Sequence, residues 1–216
     1  MFNSIRMVFI LSAMMALGGC ATSRSVVIPD AGVAAENPVQ GIAIRIDQVD
    51  DMRQFQSSPK TPDIPSLPES DVGNNALTAR AIARKRNGYG MALGDVLLPE
   101  GQTVSQLVGR AVDRGFRLAG YRVLKPGDSG YEQAVPVTAK IRQFWSWFNP
   151  GFSSVTITNR ADVSIEGALP ALNGGFVVTN ETSAKLMAVF EEDWTKITTQ
   201  GLAQLSEKVR AGLSVK

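Results

Sequence analysis

The side chains that most often carry catalysis are scarce in this sequence. It has 216 residues with no histidine and one cysteine, so it cannot form a Ser-His-Asp or Cys-His dyad or a histidine-liganded metal site. Its run of three carboxylates, Glu191-Glu192-Asp193, lies on a predicted helix, where consecutive side chains point in different directions. No serine lies in a Gly-x-Ser-x-Gly setting. The sequence therefore predicts that the protein is not an enzyme and holds no cofactor or metal.

The N-terminus has the pattern of an export signal. Arg6 precedes an apolar run over residues 7–17, about half the length that a membrane-spanning helix needs. The run ends in Leu17-Gly18-Gly19-Cys20, which matches the lipobox at which signal peptidase cuts before a cysteine that carries a diacylglyceryl group. Cys20 is the only cysteine, so no disulfide competes for it. We predict a signal peptide over residues 1–19 and lipidation of Cys20; the alternative is an incidental cysteine beside an ordinary cleavage site.

The charge of the chain argues against a nucleic-acid partner. Twenty-two Lys and Arg against 20 Asp and Glu give a net charge of +2, without the concentrated basic excess that a nucleic-acid surface needs. The one basic cluster contains Arg84, Lys85 and Arg86, with Arg80 nearby. It is a candidate contact for an anionic lipid or polysaccharide surface. The alternative is an edge strand whose charges block edge-to-edge pairing.

Aromatic residues are unusually dense between residues 144 and 152. If this segment is a strand, Trp145 and Trp147 share one face, and Phe144 and Phe148 share the other. Exposed tryptophan is unfavourable unless it meets a protein, a glycan or the membrane interface. We predict partner binding through Trp145, Trp147, Phe148 and Phe152. The alternatives are that helices cover one face and a proline-rich loop the other, or that the segment dips into a membrane.

Two irregular stretches divide the mature chain. Residues 20–40 show no periodicity, which predicts a lipidated tether. Residues 53–73 contain four prolines at a spacing of three, which predicts a surface loop packed along the domain, with a polyproline II ligand as the alternative. Residues 41–216 are predicted to form a single periplasmic α+β domain.

Local patterns predict the elements of that domain. Thr103 and Gln106 form a capping box that begins an amphipathic helix, and Gly120 ends it. Asn87-Gly88 predicts a hairpin, with a short helix that ends at Gly88 as the alternative. Further patterns predict strands at 41–49, 121–124, 134–148, 153–168 and 176–186 and a final helix at 187–213. The expected fold is α+β, with a mainly antiparallel sheet of about five strands covered on one face by two helices.

Several segments carry a family resemblance. They are the lipobox at Cys20, Asp51-Met52-Arg53 after the first strand, Gly120-Tyr121-Arg122-Val123 after the first long helix, and residues 159–165. Together they resemble the YajG-type family of uncharacterised bacterial outer-membrane lipoproteins. The resemblance implies a lipoprotein domain of unassigned biochemistry. Ala21 stands where inner-membrane lipoproteins carry a retaining aspartate, which implies the outer membrane, facing the periplasm.

Two hypotheses of function follow. The first is a non-enzymatic, lipid-anchored binding or accessory module that contacts another envelope protein in envelope biogenesis or assembly. The second is a carrier or sensor domain for a small lipid or glycan held between the sheet and the helices. The sequence leaves the oligomeric state open.

Overall fold

The computed structural model describes residues 23–29 and 35–214, which form one mixed sheet and three helices. A short 3-10 turn at Pro170–Leu172 precedes the last strand. The elements follow in the order β1 (Arg24–Ser25), β2 (Ala43–Asp51), α1 (Asn75–Thr78), β3 (Ala81–Arg86), β4 (Ala92–Leu97), α2 (Val104–Leu118), β5 (Arg122–Val123), β6 (Val135–Pro150), β7 (Val155–Gly167), β8 (Phe176–Leu186) and α3 (Glu191–Ser214).

The long strand β6 organises the sheet. One edge of β6 pairs with β7, and β7 pairs with β8, so these three strands form an antiparallel meander. The other edge is shared by two parallel strands placed end to end. The strand β2 pairs with the first half of β6, and β3 joins the second half at Ser146. The strand β5 lies beyond β2, and β4 and then β1 lie beyond β3.

The sequence therefore predicts too few strands and too few parallel strand pairs. The described residues contain eight strands with both parallel and antiparallel pairs, whereas the sequence predicts about five, mainly antiparallel. Alternating side chains identify a strand and its buried face, but they carry no information about distant partners such as β2 and β6. The α+β class and the two long helices on one face are confirmed.

Residues 23–29 pair with or pack against the sheet, and this corrects the part of the tether predicted over 20–40 that they occupy. The backbone of β1 pairs in parallel with β4, and the Val26 N–H donates to the Leu97 carbonyl at 2.9 Å. The side chains of Val26 and Ile28 are buried in the main core. Further along, Asn37 exchanges two hydrogen bonds with the backbone of Val123. The folded unit thus begins well before residue 41.

The two long helices form the cover of one sheet face. The capping box of Thr103 and Gln106 is present, and the predicted apolar face of α2 is buried, as are its counterparts on α3. The helices approach closely at Gly115, where a Cβ would lie 2.6 Å from Val209. The helix α3 begins at Glu191, later than predicted, because the Asp193 carboxylate accepts from the Phe190 N–H and caps the first turn.

The hairpin predicted at Asn87-Gly88 is confirmed. The strands β3 and β4 pair in antiparallel order, and the Asn87 N–H donates to the Met91 carbonyl at 2.9 Å across the turn. The Asn87 side chain accepts from two backbone N–H groups of the turn, those of Tyr89 and Met91. A helix that ends at Gly88 is therefore not formed, because the backbone hydrogen bonds are used across the hairpin.

Candidate functional site

The aromatic residues of β6 are buried on both faces of the sheet. Phe144 lies under the helices, and the half-buried Phe148 ring packs against Trp194 with 6.2 Å between ring centroids. On the opposite face Trp145 and Trp147 are only 0% and 5% exposed. The expectation that these tryptophans remain at the surface is wrong. Among the predicted partner-binding residues, Phe152 in the β6–β7 turn is the one that is fully exposed.

The proline-rich segment covers the second face of the sheet. We call the buried group of Leu67, Ala81, Trp145 and Trp147 the loop-side cluster. The Trp145 indole N–H donates to the Pro62 carbonyl at 3.1 Å, which ties the loop to the ring beneath it. The alternative in which helices cover one face of the strand and the proline-rich loop covers the other is therefore confirmed.

A buried arginine holds the start of this segment. Arg53 lies where β2 ends and β3 begins along the edge of β6, and its guanidinium donates to the carbonyls of Ala81 at 2.6 Å and Phe144 at 3.1 Å. Its charge is balanced by Asp51, 2.6 Å away. Sequence reasoning missed this role, because an Asp-x-Arg spacing is common and nothing local reveals the two carbonyls.

The predicted anionic-surface contact is largely engaged inside the protein. Arg84 faces the buried carboxylate of Asp95 at 3.7 Å, and Lys85 forms an ion pair with Glu191. Arg86 donates to the Ser66 hydroxyl at 3.0 Å. The strand β3 lies between β4 and β6, so the alternative of a charged edge strand is wrong.

Burial shifts the pKa of two charged groups in this cluster. Burial raises the pKa of Asp95, and the favourable charge of Arg84 and a hydrogen bond from Ser23 oppose this shift only in part. Burial lowers the pKa of Arg86, and the nearby positive charge of Arg84 adds to the effect. These groups are therefore partly withdrawn from water, unlike the charges of a freely solvated basic patch.

Exposed apolar residues gather at one end of the sheet. Since β3 and β6 run parallel, the β3–β4 turn, the β6–β7 turn and the segment after β8 all lie at this end. Tyr89 at the tip of the hairpin is 95% exposed, and Met187 after β8 is 85% exposed. We call the exposed group at this end the apolar end; it consists of Tyr89, Met91, Leu93, Phe152, Met187 and Phe190.

A groove of about 500 Å³ opens beside the apolar end. Leu93 and Phe190 line its sides, the ring pair of Phe148 and Trp194 lies against it, and the ion pair of Lys85 and Glu191 lies at its rim. Its volume is within the range of small-molecule sites. The apolar lining suits an acyl or similar apolar group, and the ion pair offers polar contacts to a head group.

Two of the three carboxylates that the sequence singles out have structural partners. Glu191 pairs with Lys85, and Asp193 accepts from the Phe190 N–H at the start of α3, while Glu192 is exposed. Over residues 23–29 and 35–214, no group of three or more His, Cys, Asp or Glu side chains is placed to hold a metal ion. In the same part of the chain, no helix has the length and apolarity needed to cross a bilayer. The lipobox Leu17-Gly18-Gly19-Cys20 lies outside the described residues.

The fold and the site together define a mixed α+β domain with a groove and an exposed apolar end. No family model matches the chain, and no curated protein matches it. One similar solved structure is an uncharacterised protein, 10% identical, with coverage of 88% of this chain and 96% of that chain and a TM-score of 0.42. The YajG-type resemblance therefore stays a prediction.

Two further solved structures have names that say more. A Xanthomonas campestris protein of family DUF330 is 12% identical, with coverage of 88% of this chain and 90% of that chain and a TM-score of 0.41. A minor lipoprotein from Acinetobacter baumannii is 10% identical, with coverage of 54% of this chain and 87% of that chain and a TM-score of 0.35. These TM-scores are low, so the likenesses carry no argument about function.

Proposed function

We propose that this protein is a non-enzymatic lipoprotein, anchored to the outer membrane through Cys20 and facing the periplasm. The YajG-type resemblance implies an outer-membrane lipoprotein and leaves its biochemistry unassigned. In this proposal the protein acts as a binding or accessory module that contacts another envelope protein during envelope biogenesis or assembly. The observation that carries the proposal is the lipobox at residues 17–20, which contains the only cysteine of the chain. It is followed within a few residues by β1, which pairs with β4 of the domain. Several acyl chains on one residue give stable membrane anchoring.

Metabolic labelling tests the anchor. In Gram-negative cells fed an alkyne analogue of palmitate, the wild-type chain is expected to become labelled and to fractionate with the outer membrane. Cys20→Ala is expected to lose both properties. Ala21→Asp is the matched control for sorting: it keeps the label and moves to the inner membrane. A wild-type chain without label contradicts the anchor, and a labelled chain that stays in the inner membrane contradicts the location.

Crosslinking in intact cells tests the accessory role. We expect the lipidated protein to give a discrete protein adduct that is lost in Ala21→Asp, which differs from the wild type in its membrane and not in its domain. An adduct that persists unchanged in Ala21→Asp contradicts a partner of the outer membrane. A wild-type chain that forms no adduct contradicts the accessory role altogether.

The groove supports a second candidate, a carrier or sensor of a small lipid or glycan. Its apolar lining and its volume of about 500 Å³ fit one acyl chain or a compact apolar ligand. Native mass spectrometry of the purified protein is expected to show a bound small molecule in this case. Leu93→Arg, which places a charge on the groove wall, should remove that molecule. A mass equal to that of the lipidated chain alone contradicts the carrier function.

A further inference from the structure

We propose that the apolar end is a membrane-docking face. In this proposal Tyr89, Phe152, Met187 and their neighbours enter the interfacial layer of the leaflet that holds the lipid of Cys20. The domain is then seated against the bilayer in one orientation instead of moving freely on a tether. The proposal rests on the proposed lipidation of Cys20, and its test separates the two.

The first argument is the length of chain between the lipid site and the domain. Cys20 lies three residues before Ser23, and three residues span at most ~11 Å. Ser23 is fixed to β4, because its hydroxyl lies 3.4 Å from the Asp95 carboxylate and accepts from the Asp95 N–H at 3.3 Å. A lipid on Cys20 therefore holds this part of the sheet close to the headgroups.

The second argument is the direction of the strands. The strand β1 is parallel to β4, so the N-terminal end of β1 lies toward the start of β4. The start of β4 adjoins the hairpin turn that carries Tyr89 and Met91. From Asp95 to Met91 is four residues of strand, or ~13 Å. Ser23, the described residue that follows the lipid site by three positions, thus lies toward the same end of the sheet as the apolar end.

The third argument is the chemistry of the apolar end. Aromatic residues are exposed at the tips of two separate turns, Tyr89 in the hairpin and Phe152 between β6 and β7, and Met187 and Phe190 add flexible and aromatic apolar surface. Tyrosine is enriched at membrane interfaces because its ring is apolar and its hydroxyl is polar, and phenylalanine and methionine add apolar area that can enter the acyl boundary. An apolar patch of this kind on a protein held at a bilayer is covered most directly by that bilayer.

Charge at this end is close to balanced. Lys85 pairs with Glu191, and Glu192 is exposed beside them on α3. Arg86 donates to Ser66 and Gly90 within the protein, and the exposed Lys185 near the end of β8 adds one positive charge. The contact is therefore mainly apolar, and we expect it with the zwitterionic phosphatidylethanolamine as well as with anionic lipid. Because it does not depend on surface charge, it should also persist at high salt.

Fluorescence quenching by lipids provides the test. The sulfur of lipidated Cys20 is a thioether, so an introduced cysteine is the only free thiol of the mature chain. An environment-sensitive NBD label is attached at Phe152→Cys or Met187→Cys. Val177→Cys is the matched control, since Val177 is also exposed but lies near the start of β8, ~30 Å along the strand direction from Met187. The full lipidated proteins are placed in vesicles of phosphatidylethanolamine, with and without doxyl-labelled lipid.

We expect a blue-shifted emission and loss of most of the fluorescence to doxyl lipid at positions 152 and 187, and neither effect at position 177. Equal quenching at all three positions overturns the docking face, as does stronger quenching at 177. Flotation of the vesicles separates the two proposals. A wild-type chain that does not float with the vesicles overturns the lipid anchor, whereas one that floats without selective quenching overturns only the docking face.

Two further measurements guard against a changed fold and a different occupant. The variant with Phe152→Glu and Met187→Glu, labelled at Tyr89→Cys, should still float and keep its near-ultraviolet circular dichroism but lose the quenching. If quenching persists, these two residues do not form the face. A photo-crosslinker at position 152 in cells should give lipid adducts. A discrete protein adduct in their place shows that a protein covers this end, and it overturns the proposal.

Discussion

The two faces of β6 are buried by different means. On the helix side, α2 and α3 press regular apolar stripes onto Phe144 and its neighbours. On the loop side, an irregular segment covers Trp145 and Trp147, and it is fixed by hydrogen bonds to backbone carbonyls and by the buried cation of Arg53. The difference teaches that the helix side combines mainly apolar packing with a few buried hydrogen bonds, such as those of Ser146 with Thr198 and Asn159. The loop side depends more on individual polar contacts and on charged groups such as Arg53.

The largest effect is expected from a cavity on the helix side. Phe116 of α2 is fully buried, and Phe116→Ala removes most of its side chain from the core. We expect a loss of about 4 kcal/mol in the free energy of unfolding. Urea unfolding followed by circular dichroism measures it. Leu118→Ala at the partly exposed end of the same helix is the control, with a smaller loss of about 1 kcal/mol. Equal losses in the two variants would contradict this packing.

A somewhat smaller effect is expected from the cation on the loop side. Arg53→Ala leaves the carbonyls of Ala81 and Phe144 without their donor and should cost about 3 kcal/mol. Limited proteolysis should then cut within residues 53–73 while the helices stay protected. Arg142→Ala is the control, because it removes an exposed arginine of β6. It should change neither the free energy of unfolding nor the pattern of proteolysis. Cleavage distributed over the whole chain would show that the two faces do not differ in this way.

A single hydrogen bond of the loop-side cluster gives a finer test. Trp145→Phe keeps an aromatic ring but removes the indole donor to the Pro62 carbonyl. We expect a loss of about 1 to 2 kcal/mol in unfolding free energy, because the bond is lost and a smaller ring fills the space less well. Amide hydrogen exchange should rise in residues 53–73 and remain unchanged in α2. Unchanged exchange in the loop would show that this bond does not hold it.

The smallest effect concerns pH. Burial raises the pKa of Asp95 above its ordinary value of 3.8, so the native state binds this proton more tightly than the unfolded state. The contribution of Asp95 to stability therefore increases as pH falls from neutrality through the raised pKa toward 3.8, and it is lost as pH rises again. Urea unfolding over this range should show the wild type gaining stability relative to Asp95→Asn on acidification. Phe116→Ala should lose the same amount of unfolding free energy relative to the wild type at every pH.

If the difference in unfolding free energy between the wild type and Asp95→Asn does not change with pH, the charge of Asp95 does not contribute to stability in the way proposed. The loop side would then resemble the helix side, with packing as its main source of stability.

The sequence predicts the local features of this fold better than its long-range ones. The capping box at Thr103, the hairpin at Asn87 and the bounds of β8 follow from short patterns, because each depends on residues within a few positions of one another. The parallel pairs of β1 with β4 and of β2 with β6 join distant segments. No periodicity encodes such pairs, so the five-stranded sheet is a wrong prediction and the predicted tether is wrong for residues 23–29.

The candidate site shows the same limit. Alternation correctly separates Trp145 and Trp147 from Phe144 and Phe148, but it does not reveal what covers each face. Of the members of the apolar end, the sequence points only to Phe152, because the others lie far apart along the chain. A usable signal exists at the turns: Tyr89 lies between two glycines and Phe152 follows one, at positions where polar residues are usual.

The short strand β1 also covers a sheet edge and thereby opposes self-association of the protein. It occupies the outer edge of β4, and the buried Val26 and Ile28 fill space beside it. A chain shortened to begin at Gly41, where the composition suggests that folding starts, uncovers that edge and the apolar slot next to it. Unpaired edge strands are the usual starting points for self-association. The short strand β1 therefore also keeps neighbouring copies of the domain from pairing at this edge.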